Sequence, residues 1–200
     1  MNAPAGRTLW LVRHAPPQIA PGICYGRLDV AADPLATQQA AAALAAALPP
    51  AAQVHTSPAQ RCTALADAVA AQRPALAAQA DEALQELHFG AWEGQAWDAI
   101  GPTALDAWTA DFAHHAPGSG EALAAMLQRV QAALARTGHA ACAVVVWITH
   151  AGVARCVQYL LRHPLPRELH TLRIAAADWT WPAPAWGGWT RVPLLLESAG

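Results

Sequence analysis

The chain has no lysine, and all twelve of its basic residues are arginine. A GC-rich coding sequence, which favours Arg and Ala codons, accounts for this bias. Charge is sparse altogether: charged residues make up 13% of the chain and the net charge is −2, with no basic run or tail. That excludes a nucleic-acid surface, which needs clustered cations to neutralise phosphates. The four cysteines, Cys24, Cys62, Cys142 and Cys156, are scattered and form no C-x-x-C pair. A disulfide framework and a structural zinc site are therefore not expected, and small buried apolar roles are. No strongly apolar stretch reaches the roughly 18 residues of a membrane span. The polar lead-in from Met1 to Arg7 lacks the charged start and apolar middle of a secretory signal, so a cytoplasmic location is expected.

What is present is a near repeat. Thr8 to Ala15 (TLWLVRHA) and Val145 to Ala151 (VVWITHA) are apolar runs that stop at a histidine followed by a small residue. Such runs suit strands buried on both faces of a sheet. In open α/β sheets, ligands bind just beyond the carboxyl ends of the strands. If these two strands are neighbours, His14 and His150 meet at one rim. Arg13 stands beside the first histidine, and Arg61 follows a separate turn signal. Two histidines and two arginines make a cationic pocket suited to phosphate, because the planar guanidinium fork holds phosphate oxygens two at a time.

Around these runs, strands alternate with helices. The pattern predicts a first strand over Leu9–Val12, a helix over Leu35–Leu48 and a short strand over Gln53–Thr56. Ser57-Pro58 reads as N-cap and first turn of a helix running to about Ala71. A short strand is expected near Leu76–Gln79, a loop over Leu87–Gly94 and one or two short helices over Trp97–Phe112. A turn at Pro117–Gly120 leads to a helix over Glu121–Thr137, a strand over Ala143–Thr149 and a helix over Ala151–Arg162. Leu169–Ala175 and Asp178–Trp181 read as an antiparallel pair near the sheet edge. The Trp-, Pro- and Gly-rich stretch Trp181–Leu196 reads as a last strand or a packed irregular segment. These elements imply an α/β fold in one domain spanning 1–200: a three-layer α/β/α sandwich around a mostly parallel sheet.

The candidate residues permit phosphoryl transfer. Arg13 and Arg61 can position a phosphate monoester and offset its shifting charge. A neutral His14 can attack phosphorus and form a phosphohistidine, splitting one hard step into two. His150 can donate to the transferring group. The leaving alkoxide needs a proton, for which Glu86 and Glu93, in the segment Glu86 to Gly94 (ELHFGAWEG), are the candidate acids.

The motifs LVRHA ending at Ala15, Thr56 to Cys62 (TSPAQRC), Glu86 to Gly94, and Ile148 to Val153 (ITHAGV) resemble those of the histidine phosphatase (phosphoglycerate mutase-like) superfamily, in order and spacing over roughly Leu9 to Leu161. The resemblance implies His14 as nucleophile, Arg13, Arg61 and His150 as the phosphate pocket, Glu86 as proton donor and later base, and no metal or other cofactor. Ala15 and Ala151 stand where the family usually has glycine. Pro117-Gly-Ser-Gly120-Glu121-Ala122 stands for the family's Pro-Gly-Gly-Glu-Ser turn, without its serine. The segment after Asp29 lacks a usual glycine and is shortened.

A narrower similarity links Gly22 to Val30 (GICYGRLDV) to a segment of the α-ribazole phosphatases of cobalamin biosynthesis. It implies a small-molecule phosphate monoester, α-ribazole 5′-phosphate, as partner, with Tyr25 or a nearby Trp stacking on its base and Arg27 and Asp29 bonding its ribose. The alternatives are a broad-specificity phosphatase on the same machinery, a phosphoglycerate mutase, whose enclosing insert the chain lacks, and a non-catalytic binding module, which should have lost a pocket residue.

His114-His115 invites a metal reading, but adjacent histidines do not face one another on a helix, and a solvated loop is expected. The tryptophans Trp179, Trp181, Trp186 and Trp189 suit cover of the sheet edge or a contact between copies. Oligomeric state is not legible.

Overall fold

The computed structural model describes residues 7–194. The lead-in before Arg7 and the last residues of the Trp-rich stretch, Leu195 and Leu196, lie outside the described residues. Five strands form one sheet: β1 (Arg7–Arg13), β2 (Ala52–Thr56), β3 (Gln79–Ala80), β4 (Val144–Thr149) and β5 (Trp189–Leu194), in the order β3-β2-β4-β1-β5. All neighbours are parallel except β5, which runs antiparallel along β1. β5 is an edge strand, which is where Pro193 can sit, since a proline has no N–H to give an inner ladder.

The central strands are buried on both faces because both faces carry helices. Leu9 and Leu11 of β1, with Val145 and Trp147 of β4, pack on α4 (Leu123–Gly138) and α5 (Ala151–Leu160). The alternate residues Trp10, Val12, Val146 and Ile148 pack on α1 (Pro34–Ala47) and α2 (Gln60–Gln72). The result is the expected three-layer α/β/α arrangement. A further helix, α3 (Pro102–Ala110), lies in the connection before α4.

Local chemistry explains most boundaries. Asp33 caps α1 by accepting from the Ala36 N–H at 2.7 Å, with Pro34 in the first turn. Three expectations are corrected. Ser57 is not the N-cap of α2: the helix begins at Gln60, its cap Ala59 makes no side-chain bond, and Asp29 reaches in from 31 residues away to accept the Gln60 N–H at 2.8 Å. Leu169–Ala175 and Asp178–Trp181 are not strands. They contain short 3₁₀ turns at Leu169–Thr171 and Ala176–Asp178, closed by local bonds from Leu172 N–H to Leu169 O and from Trp179 N–H to Ala176 O. The sheet edge beside β1 is taken by β5, and the alanines at 175–177 have little strand propensity. Near Leu76, a 3₁₀ turn over Pro74–Leu76 replaces most of the expected strand, which shrinks to β3.

The tryptophans divide. Trp189 stacks on Trp10 at 5.9 Å and covers the sheet beside β1, whereas Trp179 and Trp181 pack on Tyr159 of α5. His114 is half-buried, its Nε2 2.8 Å from the Leu172 carbonyl, rather than in a solvated loop. No helix among the described residues is long and apolar enough to cross a membrane.

Candidate active site

β1 and β4 are adjacent and parallel, with Arg13 in register with Thr149. The residues that follow the two strand ends therefore meet at one rim. The His14 and His150 rings lie 5.1 Å apart, edge to face. Both side chains are buried, as is Arg61. Arg61 enters from the first turn of α2, and its terminal nitrogens donate to the Leu28 and Gly26 carbonyls.

The tautomer of His14 follows from its partner. His14 Nδ1 lies 2.7 Å from the Ala15 carbonyl, which can only accept, so Nδ1 carries the proton and Nε2 keeps its lone pair. Burial, with Arg61 and Arg13 nearby, lowers the His14 pKa to about 3, against the hydrogen bond to Ala15. The imidazole is neutral at ordinary pH. His150 is held well below the usual histidine range, first by burial and then by Arg61 and His14. Its Nε2 lies 2.9 Å from Ser57 Oγ. With Ser57 donating, the proton sits on His150 Nδ1.

Four buried side-chain polar atoms lack a hydrogen-bond partner among the described residues: Arg13 Nε, Arg61 Nε, His150 Nδ1 and Trp108 Nε1. Buried donors are normally satisfied, so each orphan calls for an account. The first three belong to this rim, where unpaired N–H groups suit an anion.

Beside them is a cavity of about 230 Å³, lined by Arg27, Asp29, Pro58, Arg61, Glu86 and His150, together with Ala59 and Gln85. Glu86 is thus at the cavity and Glu93 is not among its walls. Glu93 Oε1 instead accepts the backbone N–H groups of Arg27 and Phe89, each at 2.9 Å, and ties two loops together. Glu86 Oε2 accepts the Gly152 N–H at 3.0 Å and Oε1 its own neighbour's, at Leu87. Since His150 at the head of α5 makes no side-chain cap, Glu86 caps that helix from outside. Gly152 is what admits the carboxylate: a Cβ there would run into Glu86 Oε1 and sit 2.9 Å from Cδ.

The remaining candidates are partly committed elsewhere. Arg27 pairs with Glu121 at 3.2 Å, and Asp29 Oδ1 holds the head of α2, although both line the cavity. The Tyr25 ring lies 5.5 Å from the Arg61 guanidinium carbon, and burial raises its pKa.

Four contributions escape a sequence reading. Ser57 orients His150; its Ser-Pro step is indistinguishable from a helix start. Trp186 lies under Arg13, whose guanidinium carbon is 3.2 Å from its ring centre, and 5.1 Å from His14. Gln85 lines the cavity. Arg129 of α4 forks onto Glu121 at 2.7 and 2.9 Å and donates to the carbonyls of Ala83, Gln85 and Glu86, fixing the segment that carries Glu86. No local signal marks these, because each works through a contact distant in sequence.

Two expected results arise here. Arg129→Ala leaves a largely buried Glu121 with only Arg27. It should cost about 3 kcal/mol and lower the thermal midpoint by roughly 6–12 °C, which calorimetry reads directly. Acid should also weaken the fold. His14 stays neutral in the folded chain down to about pH 3, while the unfolded chain takes up the proton near 6.5. The unfolded state therefore binds more protons between these values, and stability falls as pH drops through that window. Urea titrations at pH 4–7 should show a slope up to about 1.4 kcal/mol per pH unit shallower in His14→Gln; an unchanged slope would refute a neutral His14.

A three-layer α/β protein with two histidines and two arginines gathered at the carboxyl rim of its sheet is the class that fold and site define. Residues 9–193 match the model of the histidine phosphatase superfamily (branch 1), and the chain belongs to that superfamily. Among solved structures, TTHB049 from Thermus thermophilus is 27% identical, with a TM-score of 0.67 over 92% of each chain. A mycobacterial glucosyl-3-phosphoglycerate phosphatase is 24% identical, with a TM-score of 0.73 over 93% of this chain and 89% of that one, and shares the fold. A search of curated proteins found no match.

Proposed function

We propose that the chain is a phosphomonoesterase working through a phosphohistidine, with α-ribazole 5′-phosphate as its substrate. The observation that carries the chemistry is the group of buried, unpartnered donors, Arg13 Nε, Arg61 Nε and His150 Nδ1, beside a neutral His14 whose Nε2 lone pair is free. In this reading the phosphoryl oxygens accept from those donors. His14 Nε2 attacks phosphorus as the ester P–O bond breaks, and Glu86 gives the leaving oxygen its proton. Glu86, now a carboxylate, takes a proton from water as the water attacks phosphorus. The P–N bond breaks, releasing inorganic phosphate and restoring His14. Membership of the superfamily supports this chemistry. Glu86 is preferred to Glu93 because it lines the cavity with Arg61 and His150, and Glu93 is not among the walls of that cavity.

The substrate rests on the Gly22–Val30 segment. It is supported by Arg27 and Asp29 standing at the same cavity as Glu86. Phosphate release in EDTA, comparing α-ribazole 5′-phosphate with a panel of sugar and nucleotide phosphates, tests both levels. Selective turnover of α-ribazole 5′-phosphate is expected. Even turnover across the panel would remove the substrate and keep the chemistry. No release from folded protein would remove both in favour of a binding module. The chain is expected to act in the cytoplasm.

A further inference from the structure

The fourth orphaned donor, Trp108 Nε1, is not at the phosphate site. Trp108 lines a second cavity, of about 170 Å³, whose other aromatic walls are Phe89, Phe112 and Trp179 and whose charged walls are Glu86 and Arg155. Glu86 also lines the cavity that holds Arg61 and His150, so the two spaces share as a wall one residue with a carboxyl group. Gly152, with no side chain of its own, is part of the second wall next to that carboxyl.

The rings are set in a braced cluster. Phe89 meets Trp108 edge-on at 5.8 Å, Trp108 meets Phe112 at 5.3 Å, and Phe112 meets Trp179 at 6.1 Å. Trp97 stacks on Trp108 from 6.3 Å. Rings held in this way favour a flat guest, which can lie against a face or an edge. A cavity that served only packing would be filled by apolar side chains and would not strand an indole N–H, which is costly to bury unpaired.

We infer that this second cavity is the leaving-group subsite, taking a flat aromatic ring system that carries a hydrogen-bond acceptor at its edge for Trp108. The inference rests on the phosphatase reading: a proton donor must touch the leaving oxygen, so what hangs from that oxygen extends past Glu86. The phosphoryl group then lies on the Arg61 and His150 side of the carboxyl and the ring system on the Trp108 side. The ring's acceptor takes the indole N–H, and Arg155 adds positive charge at the wall.

Three synthetic monoesters of alkyl alcohols of similar acidity test this: propyl phosphate, 2-(1-naphthyl)ethyl phosphate and 2-(1-benzimidazolyl)ethyl phosphate. In the wild type, kcat/KM should be at least about tenfold higher for the two bicyclic esters than for the propyl ester, with the benzimidazolyl ester ahead. Trp108→Phe keeps a ring and removes the N–H. It should cut the benzimidazolyl-to-naphthyl ratio by about fivefold and leave the naphthyl-to-propyl ratio high. Calorimetry with benzimidazole alone, which reads occupancy without turnover, should show binding to the wild type that weakens in Trp108→Phe.

Equal kcat/KM for all three esters, with no benzimidazole heat, would overturn the subsite while the phosphatase reading stands. An unchanged benzimidazolyl-to-naphthyl ratio in Trp108→Phe would overturn the role of the indole N–H. Hydrolysis of none of the esters would overturn the phosphatase reading itself, and the leaving-group role with it.

Discussion

His14→Ala should abolish turnover, lowering kcat by at least about four orders of magnitude, as loss of a covalent nucleophile does when no neighbour can replace it. The magnitude follows from the setting. His14 is one of two imidazoles at the rim, and the other is engaged by Ser57 through Nε2. Arg13 and Arg61 remain charged and cannot attack. The variant should still bind phosphate, because Arg13 Nε, Arg61 Nε and His150 Nδ1 are untouched. It should be at least as stable as the parent at acid pH, having lost a buried base that resists its proton. Rapid quenching of the wild type with a phosphorus-labelled monoester should trap label on protein that is released by acid and survives alkali, as a P–N bond requires. Label of the same lability on His14→Ala would mean that another group is the nucleophile.

The second large effect comes from the smallest change. Gly152→Ala puts a methyl group where the Glu86 carboxylate sits, against Oε1 and 2.9 Å from Cδ. Either the carboxylate leaves the head of α5 or the helix shifts, and both move Glu86 relative to the cavity. Turnover of alkyl phosphates should fall about 10²–10³-fold, within the range of a lost general acid. In kcat/KM, which reports the step that phosphorylates His14, p-nitrophenyl phosphate should lose far less, because its leaving group departs as a stable anion; hydrolysis of the phosphohistidine, where Glu86 is the base, slows for both. The helix loses an external cap as well, at a cost of about 1 kcal/mol. Glu86→Gln should reproduce the alkyl-selective loss with Gly152 intact, and the double variant should be little worse than either single one. An equal loss of kcat/KM on alkyl and aryl substrates in Gly152→Ala would show that the methyl disturbs phosphate binding rather than proton transfer to the leaving group.

Much of this site is legible in the sequence because of how β1 and β4 are buried. Strands covered on both faces must be apolar throughout, so a histidine marks where the strand leaves the sheet. Two such endings, with arginine beside one, point to a shared rim before any contact is known. Arg61 is legible from its motif, and α1 from the helical composition of Leu35–Leu48. What is not legible is whatever depends on a partner far along the chain. Ser57-Pro58 carries the local signal of a helix start, yet Ser57 serves His150 while Asp29 caps the helix. Gly152 gives no hint that its missing Cβ makes room for Glu86. The residues from Leu169 to Trp181 have a strand-like mix of Leu, Arg, Ile and Trp, but the edge they would occupy belongs to β5. Trp186 looks like one more packing tryptophan until Arg13 is found on its face.

The short segment before β5 closes the site from behind. Gly187 donates to the His14 carbonyl, and Arg13 donates to that of Gly188, each at 3.0 Å. His14 and Arg13 are thus pinned by residues more than 170 positions later, and His150 reaches them across another long stretch of chain. Loops of such length close late, after local helices have formed. Recovery of chemistry on refolding is therefore a stricter clock than recovery of helical signal: the former waits for both ends of the chain to meet at one rim, while the latter needs only neighbours.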